Sequence, residues 1–296
     1  MSYKKILCFG SLNPDLIYFV DELPKRGDDI RSSNSLIRAG GTAINCAEKI
    51  VLWNKLVDVR GNSLGTDPMG NYLIDYLKSK NINHDSLIID ESDTPTCSIF
   101  IDSSGERTIV SSGYQKLNWN NFENISSYDS LMLDRYSIEF VREDIKKIKS
   151  NTGLFISQAG YEYEIDYKLD FLTVSKDEIS VSEANELIES EVIRYILLTS
   201  SNLPARLISL EGTIEIVPPD FKTINANGAG DTTAAYIAAF GIEDLISTIK
   251  KACAAGAIVA GTNDQPTIEK IEEISKLVEV NPVSYTHLTL PTNREV

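Results

Sequence analysis

Asn227-Gly228-Ala229-Gly230-Asp231 runs straight into Thr232-Thr233-Ala234-Ala235-Tyr236-Ile237-Ala238-Ala239-Phe240, a turn almost without side chains followed by an Ala-rich apolar helix. The first amides of such a helix have no acceptor inside it, and the helix dipole adds positive potential at the same place. A phosphate or another anion suits that position. Asp231 stands in this field. Its carboxylate can cap the helix, or it can take a proton from a hydroxyl while the amides hold a phosphoryl group. Taken alone, the segment leaves both roles open.

Three further segments carry candidate groups. Gly40-Gly41-Thr42-Ala43-Ile44-Asn45-Cys46-Ala47 opens a helix behind a double glycine and puts Asn45 on its first turn. Gly10-Ser11-Leu12-Asn13-Pro14-Asp15 follows a short apolar run, Lys5 to Gly10, at the end where ligands bind in open α/β sheets. A polar turn in which Asn13 caps backbone groups is the plainer reading of that segment. Ser175-Lys176-Asp177-Glu178 follows another strand-like run, where Glu178 reads either as a helix-start residue or as a metal-shell carboxylate.

The elements that must position these groups alternate along the chain. Strands are expected at Lys5–Gly10, Ser130–Leu133, Gly153–Ser157, Phe171–Val174 and Arg194–Thr199. Helices are expected at Gly41–Trp53, Asn71–Lys80, Glu139–Ser150, Val181–Glu189, 231–240 and Thr267–Val280, the last with Ile271, Ile274, Leu277 and Val278 on one stripe. This alternation implies a mainly parallel sheet covered by helices on both faces. Residues 16–20 and 30–38 read as a strand pair outside that sheet, and 96–102 with 107–110 as a hairpin around Gly105.

The 296 residues carry a formal charge of −15 from 28 basic and 43 acidic residues. That balance argues against a nucleic-acid surface and against an anionic membrane partner, since both need clustered Lys and Arg. Cys8, Cys46, Cys97 and Cys253 form no CxxC pair and read as reduced, mostly buried residues of a cytoplasmic protein. Pro282 to Thr292 resembles the in-frame translation of a transposase-type sequencing adaptor. Residues 282–296 are therefore expected to be non-native, leaving 1–281 as one domain. His287 falls in that tail and His84 stands alone, so histidine-centred catalysis is not expected.

In order and spacing, the four segments resemble the ribokinase-like (PfkB) carbohydrate kinase family over about residues 4–280, and the Gly105-Glu106-Arg107-Thr108 hairpin adds to the likeness. The resemblance implies a three-layer α/β/α sandwich with a small β-sheet lid. It implies transfer of a phosphoryl group from ATP, with Mg2+, to a hydroxyl of a sugar-like molecule. Asp231 then matches the general base, and the amides of Gly228, Ala229 and Gly230 the anion hole. Asn13, Asp15, Gly41, Thr42, Asn45 and Asp134 match the substrate side. Ser175, Thr199, Gly228 and Gly230 match the nucleotide side, and Glu178 a carboxylate that reaches the metal through water. A homodimer through the lid strands is also implied.

The departures lie mostly near the nucleotide. Asn225-Ala226 replaces the usual Asp-Thr, so monovalent-cation activation does not carry over. Ser200-Ser201-Asn202-Leu203-Pro204 replaces a Gly-rich turn, and Asn263-Asp264 replaces Gly-Ala. Thr42 stands where ribokinase itself has a lysine, so ribose does not follow. A catalytically silent sugar or nucleoside binder, and a nucleoside or pseudouridine kinase, are the alternative readings.

Overall fold

The computed structural model describes residues 3–282 apart from 152, 163, 201, 202, 220, 223, 225, 226 and 263. Asn225, Ala226, Ser201, Asn202, Asn263 and the tail beyond Pro282, all singled out in the sequence, lie outside the described residues.

In chain order the elements are β1 (Lys5–Gly10), β2 (Asn13–Phe19), β3 (Asn34–Gly40), α1 (Thr42–Leu52), β4 (Leu56–Gly61), β5 (Leu64–Gly65), α2 (Pro68–Ser79), β6 (Ile89–Asp90), β7 (Thr96–Ile101), β8 (Arg107–Ser112), β9 (Ser130–Asp134), α3 (Ile138–Asn151), β10 (Phe155–Ala159), β11 (Leu169–Ser175), α4 (Val181–Glu189), β12 (Ile193–Thr199), β13 (Ala205–Ser209), β14 (Gly212–Val217), α5 (Ala229–Phe240), α6 (Leu245–Gly261), α7 (Ile268–Ser275) and β15 (Glu279–Pro282). The main sheet has the order β15-β14-β13-β12-β11-β10-β9-β1-β4. Its strands from β4 through β12 run parallel. The β13, β14 and β15 edge is antiparallel.

Alternation along the central strands divides the core between two faces. Ile6, Cys8, Met132, Phe155, Phe171 and Leu197 pack with α1, α5, α6 and α7. Leu7, Phe9, Leu131, Ile156, Leu172 and Leu198 pack with α3 and α4 on the other side. This is the three-layer α/β/α sandwich. A separate four-stranded sheet, β3-β2-β7-β8, forms the lid. The lid begins at Asn13, so Asn13-Pro14-Asp15 are strand residues where the sequence suggested a turn, and β3 starts at Asn34 rather than residue 30.

The last expected helix is shorter than its periodicity suggested. α7 ends at Ser275, and the chain then pairs as β15 with β14 in the register Ile216↔Val280. Leu277, assigned to the buried stripe, is 58% exposed because it falls in the turn between the two elements. All four cysteines are free. Among the described residues, no helix is long and apolar enough to cross a membrane.

Candidate active site

Parallel strands bring their C-terminal ends to one edge, and the candidate residues collect along it. Ser11 follows β1, Asp134 ends β9, Ser175 and Glu178 lie at and after the end of β11, and Thr199 ends β12. The lid rises from the same edge through Asn13 and Asp15.

Asn13 and Asp15 are 2% and 6% exposed and belong to one polar chain. Tyr114 Oη donates to Asn13 Oδ1 at 2.8 Å. Asn13 Nδ2 donates to Asp15 Oδ1 at 2.9 Å, and Arg38 Nη2 donates to Asp15 Oδ2 at 3.0 Å. Arg38 is the direct cross-strand partner of Asp15, an opposite-charge pairing that supports β2–β3 register. Carboxylate oxygens accept more than one hydrogen bond each, so the chain holds the two side chains in place and keeps acceptor capacity for hydroxyls.

Asp231 lies in the first turn of α5, whose N-cap is Gly228 at φ 78°. The helix start has no side-chain cap, so the capping role open to Asp231 in the sequence is not the one it takes. Its Oδ2 accepts a hydrogen bond from Asn45 Nδ2 at 2.8 Å. Thr232 and Thr233 donate their hydroxyls back to the carbonyls of Gly228 and Ala229, at 2.7 and 2.9 Å, which tightens the turn. Among the described residues, nothing stands within 4 Å of where a Cβ would lie at Gly228 or Gly230. The space over the turn is open, and the first-turn amides point where an anion would sit.

Burial holds the Asp231 carboxyl above the usual carboxylate range. The Asn45 hydrogen bond opposes that shift, Asp134 adds to it, and Arg107 and Arg38 on the lid pull it back. A carboxylate with a raised pKa is the better proton acceptor of its kind.

Asp134 is corrected by its surroundings. It is 0% exposed. Its Oδ2 takes the amide and the hydroxyl of Ser11, both at 2.7 Å, and its Oδ1 takes the Ser137 amide at 2.8 Å. Instead of facing a substrate, it ties the end of β9 to the end of β1 from behind the floor of the site. Ser11 is the residue that reaches it, and a lone serine after a strand gave no signal for that.

Glu178 has its oxygens occupied as well. Oε1 pairs with Arg135 Nη1 and lies 3.3 Å from the Tyr161 amide that donates to it. Oε2 accepts from the Ser175 amide at 2.8 Å. Arg135 also faces Glu162 at 3.8 Å and lies over the Tyr136 ring. Glu178 is thus held as the partner of Arg135 and of two amides, and no step is assigned to a metal there. Ser175 uses its amide on Glu178, and Thr199 donates its hydroxyl to Val174 O at 3.2 Å. Gly41 and Thr42 sit at the start of α1, beside Asn45.

Arg38, Tyr114 and Arg135 are the site residues that motif reading missed. Arg38 was accessible only by pairing β2 with β3. Tyr114 follows the lid with no periodic signal, and Arg135 is simply the residue after Asp134.

Comparison with known proteins speaks to the family and the fold. The model of the pfkB family of carbohydrate kinases matches residues 3–158. A ribokinase from Dictyostelium discoideum is 28% identical over 108 residues, a match covering 36% of this chain and only 34% of that protein. Among solved structures, ribokinase from Thermotoga maritima superposes with a TM-score of 0.78 at 18% identity, covering 93% of this chain and 99% of its own. Phosphofructokinase-2 from Escherichia coli, in complex with potassium, gives 0.75 at 16% identity, covering 93% and 99%. A nucleoside kinase from Methanocaldococcus jannaschii gives 0.71 at 22% identity, covering 92% and 98%. At these identities the structural likeness speaks for the fold alone. The family model matches more than half of the chain and coincides with the segments that build the lid and floor, so the chain belongs to the PfkB family of carbohydrate kinases.

Proposed function

We propose that this protein transfers the γ-phosphoryl group of ATP to a hydroxyl of a sugar or sugar-like molecule. The observation that carries the reading is Asp231 at an uncapped, open helix start, half-buried and held by Asn45. The Gly228–Gly230 amides receive the charge that spreads over the transferring group, and Asp231 takes the hydroxyl proton. Asn13 and Asp15 orient the acceptor through the polar chain that includes Arg38 and Tyr114. A cytoplasmic location and a homodimer through the lid belong to the same proposal. Exposed Leu36, Ile37, Ile109 and Val110 on the lid strands support the dimer.

ADP release from Mg-ATP across a panel of sugars, sugar acids, sugar phosphates and nucleosides tests the reading. Release that depends on one acceptor class is expected; ADP release no greater with any acceptor than without would overturn it. A second reading, a silent sugar or nucleoside binder, is favoured by the Arg135–Glu178 pair, which occupies the carboxylate expected near the metal. Calorimetric binding of ATP to the purified protein separates the two.

The same pair gives an expected result for Glu178→Gln. The Mg2+ concentration for half-maximal rate stays unchanged. Stability falls by about 1–2 kcal/mol because half-buried Arg135 loses a charged partner. A Mg2+ titration of the rate, with a thermal melt of each protein, checks both. A marked rise in the Mg2+ requirement would restore Glu178 to the metal.

A further inference from the structure

The resemblance places Asn45 on the substrate, yet its side-chain NH2 is spent on Asp231. α1 starts where Gly41 packs against the Ser11 carbonyl, and Asn45 lies one turn in, its amide bonded to Gly41 O at 3.0 Å. Its Nδ2 donates to Asp231 Oδ2 at 2.8 Å. The next residue, Cys46, is fully buried and donates its thiol to the Asp231 backbone carbonyl at 3.3 Å. Two adjacent residues of α1 thus hold one residue of α5, by side chain and by main chain. The orientation of the Asn45 amide is fixed by charge, since its oxygen turned toward a carboxylate would be repelled.

We infer that Asn45 is the positioning residue of the base: it holds Asp231 by Oδ2 and leaves Oδ1 to meet the acceptor hydroxyl. This rests on the kinase reading above. A purely substrate-binding asparagine would set acceptor affinity and leave the carboxylate alone. A positioning asparagine sets the carboxylate's geometry and its titration.

The charged and titratable groups near enough to act on Asp231 are Cys46 of α1, Asp134 of β9, Arg38 of β3 and Arg107 of β8. Burial keeps the Cys46 thiol protonated. None of these is altered when Asn45 is replaced. The hydrogen bond from Asn45 favours the charged carboxylate, so its loss moves the Asp231 titration to higher pH.

The test compares wild type with Asn45→Ala, and with Asn45→Leu, which keeps the branched side-chain skeleton without its hydrogen-bonding atoms should the alanine variant fail to fold. Carbon-13 titration follows the Asp231 carboxyl, assigned by its disappearance in Asp231→Asn. This readout needs neither ATP nor acceptor, so it separates failure of this inference from failure of the kinase reading. The expected result is a carboxyl that titrates at higher pH in the variants, with kcat lowered about 10²-fold and acceptor KM little changed. An unchanged carboxyl titration would overturn the inference, as would a raised KM with kcat preserved.

Discussion

Asp231→Asn is expected to lower kcat for acceptor-dependent ADP formation by about 10²–10⁴-fold, the usual contribution of a positioned general base. The amide can still accept the Asn45 hydrogen bond and fills the same volume, so the first turn of α5 keeps its shape. What it loses is the capacity to take a proton. Folding stability moves the other way. The folded-state pKa of Asp231 lies above its ordinary value because burial penalises the charge. Ionised Asp231 therefore costs stability above the folded pKa, and the cost disappears once pH falls below the unfolded value. At neutral pH the asparagine variant should melt at the same temperature as wild type or higher, as happens when a functional group is held against its own solvation preference. A large drop in kcat together with an unchanged or raised Tm distinguishes loss of a base from loss of structure. Steady-state assay and a thermal melt of the same preparations provide both numbers.

Gly41→Ala is expected to have the largest effect on the fold around the site. Gly41 precedes α1 at φ 87° and ψ 141°, a backbone region that side chains rarely enter. A Cβ there would lie 2.1 Å from the carbonyl oxygen of Ser11 and 2.6 Å from its carbonyl carbon. These are backbone atoms of the segment joining β1 to the lid, which cannot move without shifting Asn13 and Asp15. Backbone strain and overpacking each cost about 1–3 kcal/mol, so a loss of about 3 kcal/mol or more is expected. Because α1 carries Asn45, acceptor affinity and kcat should fall together. Denaturant unfolding measures the first effect and steady-state kinetics the second. By contrast, alanine at Gly105 meets no atom within 4 Å and strains only an exposed lid turn. It is the control for the positive φ alone.

The parallel core was legible because its strands are short apolar runs buried on both faces, and α4 matched its expected span of Val181–Glu189. Helices and strands that break those rules were missed. α6 is Ala- and Gly-rich, and its buried face, from Thr248 through Ile258, has no polar contrast to mark a period. β4 hides two charged residues in a buried strand: Asp58 accepts from Tyr128 Oη, and Arg60 donates to the carbonyl of Glu123 at 2.8 Å. Periodicity treats such residues as surface. β15 was read as the end of a helix because Leu277 and Val278 continue the stripe of Ile271 and Ile274, and only pairing with β14 shows where the helix gives way to a strand.

The site shows the same division. Asp231, Gly228, Gly230, Asn45, Asn13 and Asp15 lay in motifs whose order along the chain makes them candidates. Their partners did not. Arg38 reaches Asp15 only through strand pairing, Tyr114 reaches Asn13 across 101 residues, and Arg135 takes Glu178 across 43. Spacing cannot reveal that Asp134 is turned inward onto Ser11 and Ser137, since a strand-end carboxylate looks alike whether it faces a ligand or a neighbour.

The pH dependence of kcat/KM tests the role of Asp231 most directly. A base acts only when ionised, so the rate should fall toward acid as one proton binds. The apparent pKa of that limb should lie above the ordinary 3.8, where burial holds this carboxyl. The same limb should be absent from the residual activity of Asp231→Asn. A limb that persists unchanged in that variant would contradict the assignment of Asp231 as the base.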